Sequence, residues 1–216
     1  MIIDCISDLH GYFPQLEGGD LLIVAGDLTA RDTQEEHLRY LKWLNVQQYE
    51  KVIFIAGNHD NYYVDDECYC EGHIKYVCNS VTEFRGLKIW GSPHSLWFDG
   101  VNPACTAFMG SEEELAAKYA LIPDDIDILI SHTPMWGMLD QNRDGYLCGS
   151  RSLRDAVDRV MPKLLVCGHI HEQGGNELMY KHRGPNTWCV NASYVNEHYE
   201  PVNKPIRISL PEKQDN

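Results

Sequence analysis

The stretch Val52-Ile-Phe-Ile-Ala-Gly-Asn-His-Asp60 is a short apolar run that ends on glycine and three polar side chains. The residues from Val52 to Ala56 are apolar without alternation, which is the pattern of a strand buried on both faces of a mostly parallel sheet. Gly57 permits a sharp turn at the carboxyl end of that strand, where open α/β sheets place their ligands. Taken alone, the turn is equally consistent with two structures. One is a hard-metal site with an acid beside it, and the other is an Asx turn with a surface histidine.

Four other apolar runs end in the same way. The runs 1–7, 21–25, 126–130 and 164–167 lead into Asp8-Leu-His10, Gly26-Asp27, Ser131-His132 and Gly168-His-Ile-His171, respectively. Five predicted strands thus deliver Asp, Asn or His from their carboxyl ends. Because the carboxyl ends of parallel strands lie together, we expect these side chains to meet at one edge of one sheet.

The order D-x-H, G-D, G-N-H-D, H and G-H-x-H resembles the calcineurin-like metallophosphoesterase superfamily, and it reaches from Asp8 to His171. The phrases 88–93, 168–172, 190–193 and 203–206 are similar to those of the small metallophosphoesterase-domain (brain-type) phosphodiesterase family. The resemblance implies an α/β fold, specifically a four-layer α/β/β/α sandwich of two mixed sheets flanked by helices. Some animal members are described as replacing a metal-site histidine by glycine and losing activity. Here the G-H-x-H motif is intact, which favours a competent enzyme.

Length and composition limit the choice of function. A chain of 216 residues without a repeat, linker or low-complexity tract predicts a single domain over residues 1–216. The formal charge of −14 makes binding to extended nucleic acid an unfavourable hypothesis. No run reaches the roughly 18 apolar residues that cross a bilayer, and the amino terminus enters a strand directly, so we expect no membrane association and a cytoplasmic setting.

Most of the eight cysteines lie in apolar strands and no C-x-x-C occurs, so disulfides are not expected. Cys68 and Cys70 lie in a polar loop, where metal binding or oxidation remains open. Helices are predicted from Thr33, over 111–119 and over 152–161, two of them opening with a capping-box pattern. Shorter strands are predicted at 74–77, 81–84, 87–90, 188–191 and 206–210.

The resemblance also implies a ligand set for two divalent metal ions. Asp8, His10 and His171 would hold one ion. Asn58, His132 and His169 would hold the other, and Asp27 would bridge them. Carboxylate, imidazole and amide ligands suit manganese, iron or zinc rather than calcium, and manganese is the favoured choice.

In this family pattern the expected nucleophile is a hydroxide that bridges the metals and attacks phosphorus directly. His59 is predicted to be the general acid or the hydrogen-bond donor to the leaving group, because a side chain next to the ligand Asn58 diverges from it. Asp60 is predicted to orient His59. Two further residues are weaker candidates for substrate contact. Arg31 lacks the motif that surrounds the phosphate-binding arginine of related protein phosphatases, and His94 lies in the segment 91–100, either a pocket wall or a packed loop.

The function that these residues predict is phosphodiester hydrolysis of a small phosphate ester, including cyclic nucleotides. Hydrolysis of phosphomonoesters or phosphoproteins is the alternative, against which the altered surroundings of Arg31 weigh. A nuclease is disfavoured by the acidic charge and the lack of a basic groove. A non-catalytic metal-binding scaffold is the alternative of another class, and the sequence leaves the oligomeric state open.

Overall fold

The computed structural model describes residues 1–64, 70–98, 105–181 and 183–211. Within these ranges the helices are α1 (Gln34–Asn45), α2 (Glu112–Tyr119) and α3 (Arg151–Val160). The strands are β1 (Ile2–Ile6), β2 (Gly19–Ala25), β3 (Tyr49–Ile55), β4 (Cys70–Glu71), β5 (Ile74–Tyr76), β6 (Ser80–Phe84), β7 (Leu87–Ser92), β8 (Ser95–Leu96), β9 (Met109–Gly110), β10 (Ile128–Ser131), β11 (Leu164–Cys167), β12 (Asn176–Tyr180), β13 (Thr187–Asn191) and β14 (Ile206–Ser209).

The long strands divide between two mixed sheets. The first has the order β14-β1-β2-β3-β5-β4 and the second has the order β12-β13-β11-β10-β7-β6. The inner strands of each sheet run parallel, and the edge strands are antiparallel. The expectation that all five motif-bearing strands share one sheet is therefore wrong. Apolar patterning reveals that a strand is buried, but not which distant strand it pairs with.

Apolar side chains fill three layers. The central core lies between the sheets and contains, among others, Ile3, Ile23 and Ile55 from the first sheet and Ile130 and Val166 from the second. On the outer face of the first sheet, Tyr40 and Leu44 of α1 pack against strand residues. On the outer face of the second sheet, residues of α2 and α3 do the same. This arrangement confirms the predicted α/β fold with helices flanking two sheets.

Helix starts follow the predicted caps with one difference. Ser111 forms a complete capping box with Glu114 at the start of α2. At α1, Thr33 accepts a hydrogen bond from the backbone N–H of Glu36, but the Glu36 carboxylate accepts from the backbone N–H of Arg31 instead of returning to the cap. Both helices are thereby anchored at their first turns.

The carboxyl ends of β1, β2 and β3 meet those of β10 and β11 at one end of the sandwich. The N–H of Ser7, after β1, donates to the carbonyl of Ala192, after β13, at 2.8 Å, and the N–H of His169, after β11, donates to the Asp8 carboxylate at 3.0 Å. Gly26 has a φ of +99°, and a Cβ there would lie 2.5 Å from Nδ1 of His132. The two sheets are thus closely joined where the polar motifs leave them.

None of the helices in the described residues is long and apolar enough to span a membrane.

Candidate metal centre

Four of the predicted ligands form a compact buried group. Asp8 and His10 follow β1, Asp27 follows β2, and His171 follows β11; one ligand atom from each lies within 4.8 Å of the others. Nε2 of His171 is 3.3 Å from Oδ1 of Asp8, and Nε2 of His10 is 3.7 Å from Oδ2 of Asp27. Two carboxylates and two imidazoles at such distances suit one divalent transition-metal ion.

The second predicted set lies on the other side of Asp27. Nε2 of His132 is 3.0 Å from Oδ1 of Asn58 and 3.3 Å from Oδ1 of Asp27. The ring centroids of His132 and His169 are 5.0 Å apart. Asp27 therefore directs Oδ2 toward the first group and Oδ1 toward the second, the geometry expected of a bridging carboxylate. We refer to the seven candidate ligands together as the metal centre: Asp8, His10, Asp27, Asn58, His132, His169 and His171.

Hydrogen bonds outside the metal centre fix how its side chains are presented. Nδ1 of His132 donates to the carbonyl of Ala25 at 2.9 Å, which fixes the ring with Nε2 directed at Asn58 and Asp27. Ser193 Oγ lies 2.6 Å from Oδ2 of Asp8, to which it donates. Outer contacts of this kind are typical of protein metal sites because they fix the tautomer and direction of each ligand.

The space beneath the metal centre admits only glycine at two positions. A Cβ on Gly57 would lie 2.6 Å from Cε1 of His132, and one on Gly168 would clash with the Asp8 carboxylate. Several residues of the metal centre also adopt a left-handed backbone, with φ of 51° at Asp8, 42° at His10, 51° at Asp27 and 67° at His169. Strained backbone of this kind concentrates at functional sites. The carboxylate, imidazole and amide ligands and the closely packed glycines beneath them both fit divalent ions.

Charge strongly couples the side chains of the metal centre. Burial raises the pKa of Asp27, but the neighbouring His132 and His59 outweigh it and hold that pKa well below its usual value. Burial lowers the pKa of His132, yet the Asp27 carboxylate and its hydrogen bond raise it to about 9. For His10 and His169 burial dominates and lowers the pKa to about 4 and about 3, respectively. The low pKa values keep the Asp27 carboxylate ionised and the His10 and His169 rings neutral, which are the forms that bind metals, whereas His132 would release its proton on metal binding.

His59 lies beside the metal centre, but its predicted partner is wrong. Nε2 of His59 is 3.9 Å from Oδ2 of Asp27, so this nitrogen faces the metal centre. The Asp60 carboxylate instead accepts backbone hydrogen bonds from Gly57 at 2.8 Å and Leu28 at 3.0 Å. No hydrogen bond or ion pair among the described residues joins Asp60 to His59. Buried backbone N–H groups require an acceptor, and in this turn the fully buried Asp60 carboxylate is that acceptor.

The two weaker substrate candidates are not brought to the metal centre by any contact. The Arg31 side chain is exposed, and within the described ranges it forms no hydrogen bond or ion pair with a residue of the metal centre. His94 uses both ring nitrogens within the protein: Nδ1 is 3.1 Å from the carbonyl of Phe108, and Nε2 is 2.9 Å from the amide of Asn79. His94 faces a cavity of about 370 Å³ beside α2, so its predicted substrate contact is not supported.

Sequence reasoning missed several residues around the metal centre. Cys105 places Sγ 3.2 Å from Nδ1 of His59. The ring centroid of the half-exposed Tyr199 is 4.8 Å from that of His10 and 5.2 Å from that of His171. Phe98 lies in the segment 91–100, which was predicted to be either a pocket wall or a packed loop, and its ring centroid is 5.8 Å from that of His169. These residues lie in aperiodic segments far along the chain, and a positive φ of 60° at Tyr199 has no sequence signal. Cys68 and the side chain of Cys70 fall outside the described part of the chain.

Comparison with known sequences identifies relatives along nearly the full length. Residues 1–173 match the family model described as calcineurin-like phosphoesterase. Metallophosphoesterase domain-containing protein 1 of Homo sapiens is 34% identical over 239 aligned residues, which cover 96% of this chain and 70% of the human protein. A UPF0046 protein of Caenorhabditis elegans is 31% identical, with 96% of this chain and 80% of the worm protein covered.

Comparison with solved structures agrees on the fold. The crystal structure of TT1561 of Thermus thermophilus has a TM-score of 0.60 at 15% identity, covering 90% of this chain and 89% of that chain. Purple acid phosphatase from yellow lupin seeds has a TM-score of 0.51 at 12% identity, covering 94% and 46%. The two structural likenesses show a shared architecture, whereas the sequence matches show descent. The chain belongs to the calcineurin-like phosphoesterase family, and it is a metal-dependent phosphoesterase.

Proposed function

We propose that the chain hydrolyses phosphodiesters, including cyclic nucleotides, with two divalent ions held by the metal centre. Manganese is the favoured metal, with iron or zinc as alternatives. The observation that carries the diester preference concerns the lysine and arginine side chains of the described residues. Among the described residues, no lysine or arginine forms a hydrogen bond or ion pair with a residue of the metal centre, and Arg31 is exposed.

Charge balance explains why this absence favours diesters. Two divalent ions, two carboxylates and the expected hydroxide nucleophile would together carry a surplus of about one positive charge. A diester carries one negative charge, which such a surplus largely balances. A monoester dianion gains more from additional cationic contacts, which arginine provides as a bidentate partner for phosphate. No lysine or arginine of the described residues bonds to a residue of the metal centre, so we expect weaker selection for monoesters.

Within the proposed reaction, each group has a separate task. When bound, the ions supply Lewis acidity and lower the pKa of water. Asp27 holds the two halves of the metal centre together through its two oxygens. His59 directs Nε2 toward the same space, where it would donate a hydrogen bond to the leaving oxygen. The rings of Tyr199 and Phe98 border the metal centre and would contact the organic part of the ester.

The experiment is a comparison of kcat/KM for matched ester pairs under one metal and pH. Bis-p-nitrophenyl phosphate is paired with p-nitrophenyl phosphate, and 2′,3′-cyclic AMP is paired with 3′-AMP. The panel is repeated after reconstitution with manganese, iron or zinc. We expect the diester to have the higher kcat/KM in both pairs. Monoesters ahead in both pairs would favour the phosphomonoesterase alternative, and no turnover of any ester with any of the metals would favour a scaffold.

A further inference from the structure

Nδ1 of His59 has an unusual partner for a histidine beside a metal centre. The Cys105 thiol lies 3.2 Å from Nδ1, although the two residues are 46 positions apart in the chain. No other hydrogen-bond partner of Nδ1 is found among the described residues. The Asp60 carboxylate, one residue away from His59, is occupied by the backbone N–H groups of Gly57 and Leu28. Within the described residues, Cys105 is therefore the hydrogen-bond partner of Nδ1.

Hydrogen bonds attach the main chain around Cys105 to the turn that carries Asn58 and His59. The side-chain amide of Asn58 is 3.5 Å from the carbonyl of Cys105, and the N–H of Ala107 donates to the carbonyl of Asn58 at 3.2 Å. Cys105 is only 5% exposed, so water does not compete effectively for its thiol. These two hydrogen bonds to the main chain, together with burial, thus hold Sγ of Cys105 against the edge of the His59 ring that faces away from the metal centre.

We propose that Cys105 is a positioning residue, whose thiol donates to Nδ1 of His59 and thereby keeps the proton of the neutral ring on Nε2. In a neutral imidazole one nitrogen carries the proton and the other accepts. A thiol that donates to Nδ1 makes Nδ1 the acceptor, so the N–H of the ring is the one that faces Asp27 and the metal centre. The role in turnover rests on the proposed function, in which this N–H donates to the leaving oxygen.

Spectroscopy tests the tautomer without depending on activity. Histidine labelled with ¹⁵N reports which ring nitrogen carries the proton, and the His59 signal is assigned by its loss in His59→Gln. In the neutral ring we expect the Nε2–H form in the wild type and in Cys105→Ser, which keeps a donor. Cys105→Ala should shift the ring toward a mixture of tautomers. An Nδ1–H form in the wild type, or no change in Cys105→Ala, would overturn the proposal.

Kinetics test whether Cys105 acts through His59. Cys105→Ala should lower kcat/KM for a diester by roughly 2- to 10-fold, the range expected for one neutral hydrogen bond, and Cys105→Ser should restore most of it. In a His59→Ala background the same change should have no effect, since the ring that it orients is gone. An equal loss in both backgrounds would mean that Cys105 only packs, and would overturn the proposal.

The matched control is Cys189→Ala, which removes another buried thiol from β13, in the outer core beside α3. It should leave the His59 tautomer unchanged. Failure of the proposed function is distinguishable from failure of this inference. A wild-type protein that turns over no ester refutes the proposed function, while the tautomer measurement still decides whether Cys105 positions His59.

Discussion

The carboxylate of Asp60 accepts a hydrogen bond from the backbone N–H of Leu28 at 3.0 Å, across 32 positions of the chain. The same carboxylate accepts from the N–H of Gly57 at 2.8 Å. Asp60 thereby joins the turn that carries Asn58 and His59 to the turn that carries Asp27. Two strand ends are thus linked directly beneath the metal centre.

Asp60→Ala should consequently lower the stability of the fold. Two buried backbone donors would lose their acceptor, and the expected cost is about 2 kcal/mol or more in the free energy of unfolding. Asp60→Asn keeps one oxygen acceptor and should cost less. Urea denaturation of both variants, with the metal-free wild type as reference, measures this. Unchanged stability of Asp60→Ala would contradict a structural role for the two hydrogen bonds that this carboxylate accepts.

Ser193→Ala should weaken metal binding without removing a ligand. Ser193 donates to Oδ2 of Asp8 at 2.6 Å, and loss of such an outer contact typically costs about 10- to 100-fold in metal affinity. Competition with a chelator measures the affinity. Ser7→Ala is the matched control, because that hydroxyl is equally buried but donates to the carbonyl of Ala25. Equal affinity losses in both variants would contradict a specific role for Ser193.

Much of this arrangement could be predicted from sequence, because the strands that carry it are continuous apolar runs. The carboxyl ends of β1, β2, β3, β10 and β11 carry the motifs that local pattern identifies. Strand β12 was missed because its residues, Asn176–Tyr180, alternate exposed and half-buried positions at a sheet edge. The contact of Cys105 with His59 could not be predicted from sequence. It depends on where a segment without hydrophobic periodicity folds back onto the turn that carries His59.

His59→Ala should reduce turnover while leaving the metal content intact. Loss of one positioned hydrogen-bond donor to developing charge typically costs roughly 10²- to 10³-fold in kcat. The loss should be smaller for bis-p-nitrophenyl phosphate than for an alkyl ester, because p-nitrophenolate needs little stabilisation. Steady-state kinetics together with elemental analysis check both parts. Equal losses on the two esters would indicate that His59 positions the phosphate group instead.

The stability of the metal-free protein should fall between pH 6.5 and pH 9, because the pKa of His132 is raised from 6.5 to about 9 in the fold. A histidine with a raised folded pKa contributes its full stabilisation below the unfolded pKa and loses it as the pH rises through the folded pKa. The slope for one proton is at most about 1.4 kcal/mol per pH unit.

Urea denaturation across this pH range gives the slope. His132→Gln should reduce it, because the group with the pKa of about 9 is removed while His171, whose pKa is also raised by Asp8, remains. A slope that is the same in the wild type and the variant would show that the Asp27–His132 pair does not govern this pH dependence.

The central claim is that seven side chains from two sheets form a centre for two metal ions, and metal stoichiometry tests it most directly. Protein reconstituted with manganese, iron or zinc and freed of excess metal is examined by elemental analysis. We predict about two equivalents per chain in the wild type and about one in His169→Ala, which removes a ligand of one ion only. A wild-type value near zero with all three metals, or two equivalents retained in Asp27→Ala, would contradict the claim.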